Sequence, residues 1–307
     1  MPVDQETQAV LDLLEQLGAA DFSELSVQEA RNLSLTPPPE RPAAVGSVED
    51  RSVPTAEADI PIRIYRPESG GTQGALLFFH GGGWVIGDLE SHDETCRILC
   101  AQAGLTVVAV HYRRAPESPY PAALTDCFAA TRWVADNAEL LGVDAKRLGV
   151  GGDSAGGNLA AAVALKARDE GQPGIACQLL IYPVTDANFD TVSYQENAEG
   201  YLLTKKGMQW FWDHYVPVIE DRAQAYASPL RADTLENLPP ALVQTAEFDP
   251  LRDEGEAYTE MLKGAGNTVQ HTRYDGLIHG YFGMQATVSK ANVAIEEAVG
   301  FLKQHLN

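Results

Sequence analysis

LGVGGDSAGGNLAAAV occupies residues 148–163, and its reading decides the fold. The first five residues form a short apolar run, as in a strand buried on both faces. From Ser154 onward the segment reads as the start of a helix. At the join, four glycines surround one serine, with Asp153 just before it. Glycine relaxes the φ limits that a Cβ imposes, so the run predicts a turn too tight for other residues. Gly152-Asp153-Ser154-Ala155-Gly156 fits the pattern Gly-x-Ser-x-Gly in a strand–turn–helix setting. Such a turn lifts the Ser154 hydroxyl above the sheet. It also points the Ala155 N–H, at the helix start, toward any oxygen bound nearby. A phosphate-binding loop would need G-x-G-x-x-G or GxxxxGK[ST] spacing, and neither occurs here. A plain serine helix cap is the other reading of this residue.

Strands and helices alternate on both sides of this turn. Ile60, Ile62 and Ile64 alternate as in a strand with one buried face. The short apolar runs 75–79, 106–110, 177–182 and 241–246 suit strands covered on both faces. Helices are predicted near 90–103, 119–139, 155–169, 252–264 and 287–305; in the last, Ala291, Ile295, Ala298, Val299, Leu302 and Leu306 form one stripe. The alternation implies an α/β fold with a mostly parallel sheet and helices on both faces. Residues 186–227 interrupt it with a long segment rich in aromatics, Trp210, Phe211, Trp212 and Tyr215. An insertion of this kind serves as a lid or binding element, or packs as an extra helix on the core. Near the N-terminus, Val10, Leu13, Leu14 and Leu17 predict an amphipathic helix, and the proline-rich stretch 36–42 reads as a linker.

Composition narrows the function. Hydrophobic residues make up 45% of the 307, enough for a large core. The net charge of −21 repels nucleic acid and anionic lipid. No apolar run approaches the roughly 20 residues of a membrane span, and the N-terminus lacks the basic start and cleavage site of a signal peptide. A cytoplasmic protein without nucleic-acid or membrane partners is expected. Cys96, Cys100, Cys127 and Cys177 show no metal-ligand spacing and read as small buried hydrophobes, so no metal site is expected.

A serine nucleophile needs a base, and this strand–turn–helix arrangement places acid and then base after it in the chain. Of the histidines that follow, His271 lies inside an alternating strand, while His214 and His305 lie in other segments. His279 sits in a glycine-flanked loop after that strand, where strand ends converge, and is the expected base. Glu247, Asp249 and Asp253 are the candidate acids; Asp249 is preferred, with Asp253 as its support. Asp249 has a competing reading as a helix cap ahead of Pro250. Acyl transfer also needs donors for an oxyanion. His80-Gly81-Gly82-Gly83-Trp84 follows a strand, and Gly81 and Gly82 are expected to join Ala155 in that role. Trp84, Tyr201 and Trp210 are expected to shape the substrate pocket.

Taken together, residues 80–84 (HGGGW), 112–117 (YRRAPE), 152–157 (GDSAGG), 249–255 (DPLRDEG) and the His279-Gly280 loop resemble the hormone-sensitive-lipase-like family of α/β-hydrolases, the bacterial family IV esterases. The resemblance covers nearly all of the chain after the linker. It implies an α/β-hydrolase fold, with residues 46–185 and 228–307 as catalytic domain. Residues 1–45 and the 186–227 insertion would form a helical cap. It further implies Ser154 as nucleophile, Asp249 as acid, His279 as base, no cofactor, short-acyl carboxylic esters as substrates and a homodimer. Arg114 departs from the leucine usual in the family and is expected to change how its loop meets the cap or solvent. Amide or formamide hydrolysis by the same site is a second reading. A ligand-binding receptor on this fold is a third, which the intact Ser154, Asp249 and His279 disfavour.

Overall fold

The computed structural model describes residues 2–33, 41–71 and 73–307. Two N-terminal helices, α1 (Gln5–Gln16) and α2 (Val27–Asn32), precede the sheet. An edge hairpin follows, β1 (Ser47–Pro54) and β2 (Asp59–Arg66). The alternating part runs through β3 (Gln73–Phe79), α3 (Asp93–Ala103), β4 (Thr106–Val110), α4 (Ala122–Asp136), α5 (Ala138–Leu141), β5 (Val143–Asp153), α6 (Ala155–Glu170) and β6 (Cys177–Ile181). After an insertion with α7 (Val192–Glu196) and α8 (Lys205–Tyr215) come β7 (Ala241–Phe248), α9 (Arg252–Gly264), β8 (Val269–Ile278) and α10 (Ser289–Leu306). The sheet order is β1-β2-β4-β3-β5-β6-β7-β8. The β1–β2 and β2–β4 pairs are antiparallel, and every pair from β4 to β8 is parallel.

The burial pattern follows from this topology. Every residue of β4 and of β6 is buried, because helices cover both faces of the parallel strands. In β2, Ile60, Ile62 and Ile64 are buried at every second position, as expected. One core joins α4, α6 and α9 to one face of the sheet; the other packs α3 and α10 on the opposite face. All six residues of the expected α10 stripe are buried. Three elements differ from expectation. β1 is an added strand whose side chains are mostly exposed and whose order comes from pairing with β2. The helix expected over 119–139 breaks at Asn137 into α4 and α5. In α1, Val10 packs against the core, while Leu13 and Leu17 face solvent at 54% and 72% exposure. Most of the proline-rich linker lies outside the described residues. No helix among the described residues is long and apolar enough to cross a membrane.

The first turn of α6 is jammed against the end of β3. A Cβ on Gly156 would stand 1.8 Å from the Phe79 carbonyl oxygen, and one on Gly152 would stand 2.3 Å from the same atom. Backbone on both sides leaves nothing to yield. Gly156→Ala should therefore cost more than about 4 kcal/mol or yield no folded protein. Gly300→Ala, in α10 with nothing within 4 Å of the added methyl, should raise stability by about 0.5–1 kcal/mol. Urea unfolding of the two variants checks both signs.

Candidate active site

The parallel strands β3, β5, β7 and β8 all end at one edge of the sheet, and each delivers a part of the site there. β5 ends at Asp153, and Ser154 turns at φ 55°, ψ −119°, a conformation that a residue with a Cβ rarely adopts. The turn is fixed by backbone. Ser154 N–H donates to Ile181 O at 2.9 Å, and Ser154 O accepts from Asn158 N–H at 3.0 Å. The glycines at 152, 156 and 157 keep neighbouring backbone and Pro183 close.

Ser154 Oγ lies 2.9 Å from His279 Nε2, and His279 Nδ1 lies 2.8 Å from Asp249 Oδ2. All three side chains are buried, Asp249 completely. An ionised carboxylate can only accept, so Nδ1 of a neutral His279 carries the proton. Its Nε2 is then left to accept the Ser154 hydroxyl proton. The Tyr182 ring, 4.6 Å from the imidazole centroid, packs against His279. The second oxygen of Asp249 accepts from Leu251 N–H at 2.8 Å, which holds the carboxylate plane. Helix α9 begins at Arg252 with Leu251 as its cap residue, so Asp249 is not the cap and Pro250 is not its first residue.

The other candidates are engaged elsewhere. Glu247 accepts from Gly276 N–H, His271 meets Thr245 Oγ1 in β7, His214 packs on Trp210, and His305 on Phe301. Asp253 accepts from Ser193 N–H at 2.7 Å, and Ser193 Oγ donates to Pro250 O at 2.6 Å. No hydrogen bond joins Asp253 to Asp249 among the described residues; Asp253 holds Ser193 of the insertion, which in turn bonds the carbonyl of Pro250, next to Asp249.

The glycine turn after β3 corrects one assignment. Gly81 N–H donates to Asp153 Oδ1 at 2.9 Å and is committed there. The N–H groups of Gly82 and Gly83 make no hydrogen bond among the described residues, nor does that of Ala155 at the start of α6. Gly82 and Gly83 have φ of +111° and +56°, and Gly82 O accepts from Val85 N–H and Ile86 N–H, which closes the turn. Asp153 Oδ1 also lies 3.1 Å from His92 Nε2. Burial disfavours the His92 cation, but the adjacent Asp153 carboxylate outweighs it and raises the His92 pKa. Asp153 therefore braces the opposing glycine turn as well as following its own strand. His80 is buried and stacks on Tyr112 with centroids 4.2 Å apart. Burial holds its pKa well below the usual range, so the ring is neutral and Nδ1–H donates to Gly81 O at 2.8 Å. Arg114 Nη1 donates to Gly87 O at 2.6 Å, so the unusual arginine pins the far end of the same loop.

Trp84 does not line a pocket. It is 0% exposed and stacks on Tyr215 of α8 at 4.1 Å, with Trp212 edge-on at 5.0 Å. Its ring is an anchor between the glycine turn and the insertion. Tyr201 is half-buried on Phe248, and Trp210 half-buried against Phe211 and His214. The aromatic that meets the glycine turn is Phe211, whose ring stands 2.1 Å from where a Gly83 Cβ would be. The distance in sequence between Gly81 and Asp153, and between Gly83 and Phe211, hid both contacts from a motif reading.

Comparisons with known proteins identify the family. A family model described as the alpha/beta hydrolase fold matches residues 76–283. The chain is 40% identical to the carboxylesterase NlhH of Mycobacterium tuberculosis over 295 residues, 94% of this chain and 91% of that protein. It is 40% identical to an ethyl acetate hydrolase of Pseudomonas putida over 84% of this chain and 83% of that one. The crystal structure of a thermostable esterase from Pseudomonas putida ECU1011 superposes with a TM-score of 0.92 at 44% identity, covering 100% of this chain and 98% of the other. With the glycine turn, the serine elbow and the Asp249–His279 pair in the order and place its motifs imply, the chain belongs to the hormone-sensitive-lipase-like family, bacterial family IV, of the α/β-hydrolases.

Proposed function

We propose that this protein is a serine carboxylesterase that hydrolyses short- to medium-acyl esters through an acyl-enzyme on Ser154. The unbroken chain Ser154–His279–Asp249, with links of 2.9 and 2.8 Å, carries this reading. Relatives named as a carboxylesterase and an ethyl acetate hydrolase support the ester and its small size.

The steps follow from the atoms present. His279 Nε2 takes the proton as Ser154 Oγ attacks the ester carbonyl. Asp249 holds the Nδ1–H tautomer and stabilises the imidazolium. The charge that develops on the carbonyl oxygen is received by the N–H groups of Gly82, Gly83 and Ala155, none of which has a hydrogen-bond partner among the described residues. His279 then protonates the leaving alcohol. A water molecule, activated by the same imidazole, repeats the cycle on the acyl group and frees Ser154. Residues 46–185 and 228–307 form the catalytic domain in this reading. The N-terminal residues to 45 and the insertion 186–227 form the cap, with Tyr201, Trp210 and Phe211 as its aromatic contribution to the pocket.

Ser154→Ala should lower kcat on the order of 10⁶-fold without loss of fold. Full labelling of the wild-type serine by an active-site-directed phosphonate should accompany it. Turnover retained by a folded Ser154→Ala protein would show that another residue attacks.

Asp249→Asn favours the wrong imidazole tautomer and should cost about 10⁴-fold in kcat. Asp253→Asn should cost far less, since its carboxylate reaches Asp249 only through Ser193. The reverse ranking in steady-state assays would remove Asp249 from the triad. Parallel assays on an ester and its matching anilide separate esterase from amidase, and the ester is expected to turn over faster.

A further inference from the structure

One guanidinium ties the N-terminal segment to the turn that carries the oxyanion donors. Helix α2 starts with a capping box, in which Ser26 and Glu29 exchange side-chain to backbone bonds, and ends one residue after Arg31. Arg31 Nε donates to Val85 O at 2.9 Å, and Arg31 Nη2 donates to Ala115 O at 3.0 Å. Its Nη1 and Nη2 also grip the two oxygens of Glu117, each at 2.7 Å. Val85 lies two residues after Gly83, and its N–H already closes the turn onto Gly82 O. Ala115 N–H donates to Trp84 O at 2.9 Å, so the carbonyl of Ala115 belongs to the same assembly. The turn is held from inside by Gly82 O and from outside by Arg31.

The burial of the partners says which bonds matter. The Arg31 side chain is only 17% exposed, whereas that of Glu117 is 63% exposed. The ion pair is screened by water and contributes little. The two bonds to backbone carbonyls lie on the sheltered side and fix direction as well as distance, as the rigid guanidinium fork allows. Earlier in the same segment, Asp21 accepts from Thr204 Oγ1, and Phe22 packs on Phe211 with centroids 5.1 Å apart. Phe211 is the ring seated on Gly83. Residues 21–31 therefore reach both ends of the Gly83–Val85 stretch.

We propose that Arg31 is a positioning residue for ester hydrolysis: through Val85 O and Ala115 O it holds the Gly82–Gly83 turn where its N–H groups meet the oxyanion. This rests on the reading of Gly82 and Gly83 as oxyanion donors. The N-terminal segment thereby sets the rate of the chemical step in addition to covering the site.

The test compares Arg31→Ala, Arg31→Lys and Glu117→Gln in the full chain, on a short-acyl nitrophenyl ester and on a phosphonate that labels Ser154. A misplaced turn should lower kcat of Arg31→Ala by about tenfold to a hundredfold. KM should change by less than about threefold, as for an interaction made in the transition state alone. Phosphonylation, which builds charge on the same donors, should slow in parallel. Arg31→Lys keeps one directed donor and should recover part of kcat; it carries the test if the alanine variant does not fold. Glu117→Gln leaves both carbonyl bonds in place and should keep kcat within about twofold of wild type. A lowered melting temperature with wild-type kcat in Arg31→Ala would make Arg31 a structural anchor only and overturn the proposal. Equal losses in Glu117→Gln and Arg31→Ala would overturn it too, by placing the effect on the ion pair. A fall in kcat with an unchanged phosphonylation rate would instead overturn the oxyanion assignment of Gly82 and Gly83.

Discussion

Among the described glycines, the tightest constraint is a contact of two backbones, where the first turn of α6 presses on the end of β3. Gly156 sits where any Cβ would overlap Phe79 O and crowd His80 O. This contact brings the glycine turn, which continues from β3, to the start of α6, which carries Ser154 and Ala155. A nucleophile and its oxyanion donors must share one carbonyl group between them, within about 3 Å of each. The glycine turn and the serine elbow come from chain segments about 70 residues apart, and the bond from Gly81 N–H to Asp153 spans 72. Side chains could not bring two backbones this close, so the site depends on positions that have none.

Asp153 uses the closeness that results. Its carboxylate spans the gap to Gly81 N–H and gathers His92 on the same oxygen. That bond occupies the Gly81 N–H and leaves those of Gly82 and Gly83 without a hydrogen-bond partner among the described residues. The same economy appears at Asp249, whose two oxygens serve different ends: one holds the local turn at Leu251 and one orients His279. In both cases an acid already needed to shape the backbone is also placed at the chemistry. The preorganisation of the site thus comes from bonds that the fold would require in any event.

The fold was legible because its signals are local. The run 106–110 reads as a doubly covered strand without its partners, and so does 177–182. The Ser154 elbow is recognised from five residues, and Asp249 and His279 from their places after successive strands. What escaped depends on partners that the segment itself does not show, most of them far away in the chain. β1 carries charges on an exposed edge and gains its order from β2. The glycine motif alone does not tell which N–H groups are free, since Asp153 decides it from 72 residues away. Trp84, next to the glycines, reads as a pocket residue until Tyr215 and Trp212 enclose it. Arg31 has no signature at all, because its acceptors are backbone carbonyls that any residues could supply.

Two kinds of contact surround the site, and their physics differs. The insertion meets the glycine turn through aromatic faces: Trp84 on Tyr215 and Trp212, and Phe211 on Gly83. The indole nitrogens of Trp84 and Trp212 and the Tyr215 hydroxyl find no hydrogen-bond partner among the described residues, so this interface is held by buried area. Area burial is non-directional and changes little when rings slide by a fraction of an ångström. Hydrogen bonds weaken steeply with misalignment. The glycine turn, which holds the proposed oxyanion donors, is accordingly fixed by directed bonds from Asp153, Arg31 and Arg114 and by its own Gly82 carbonyl.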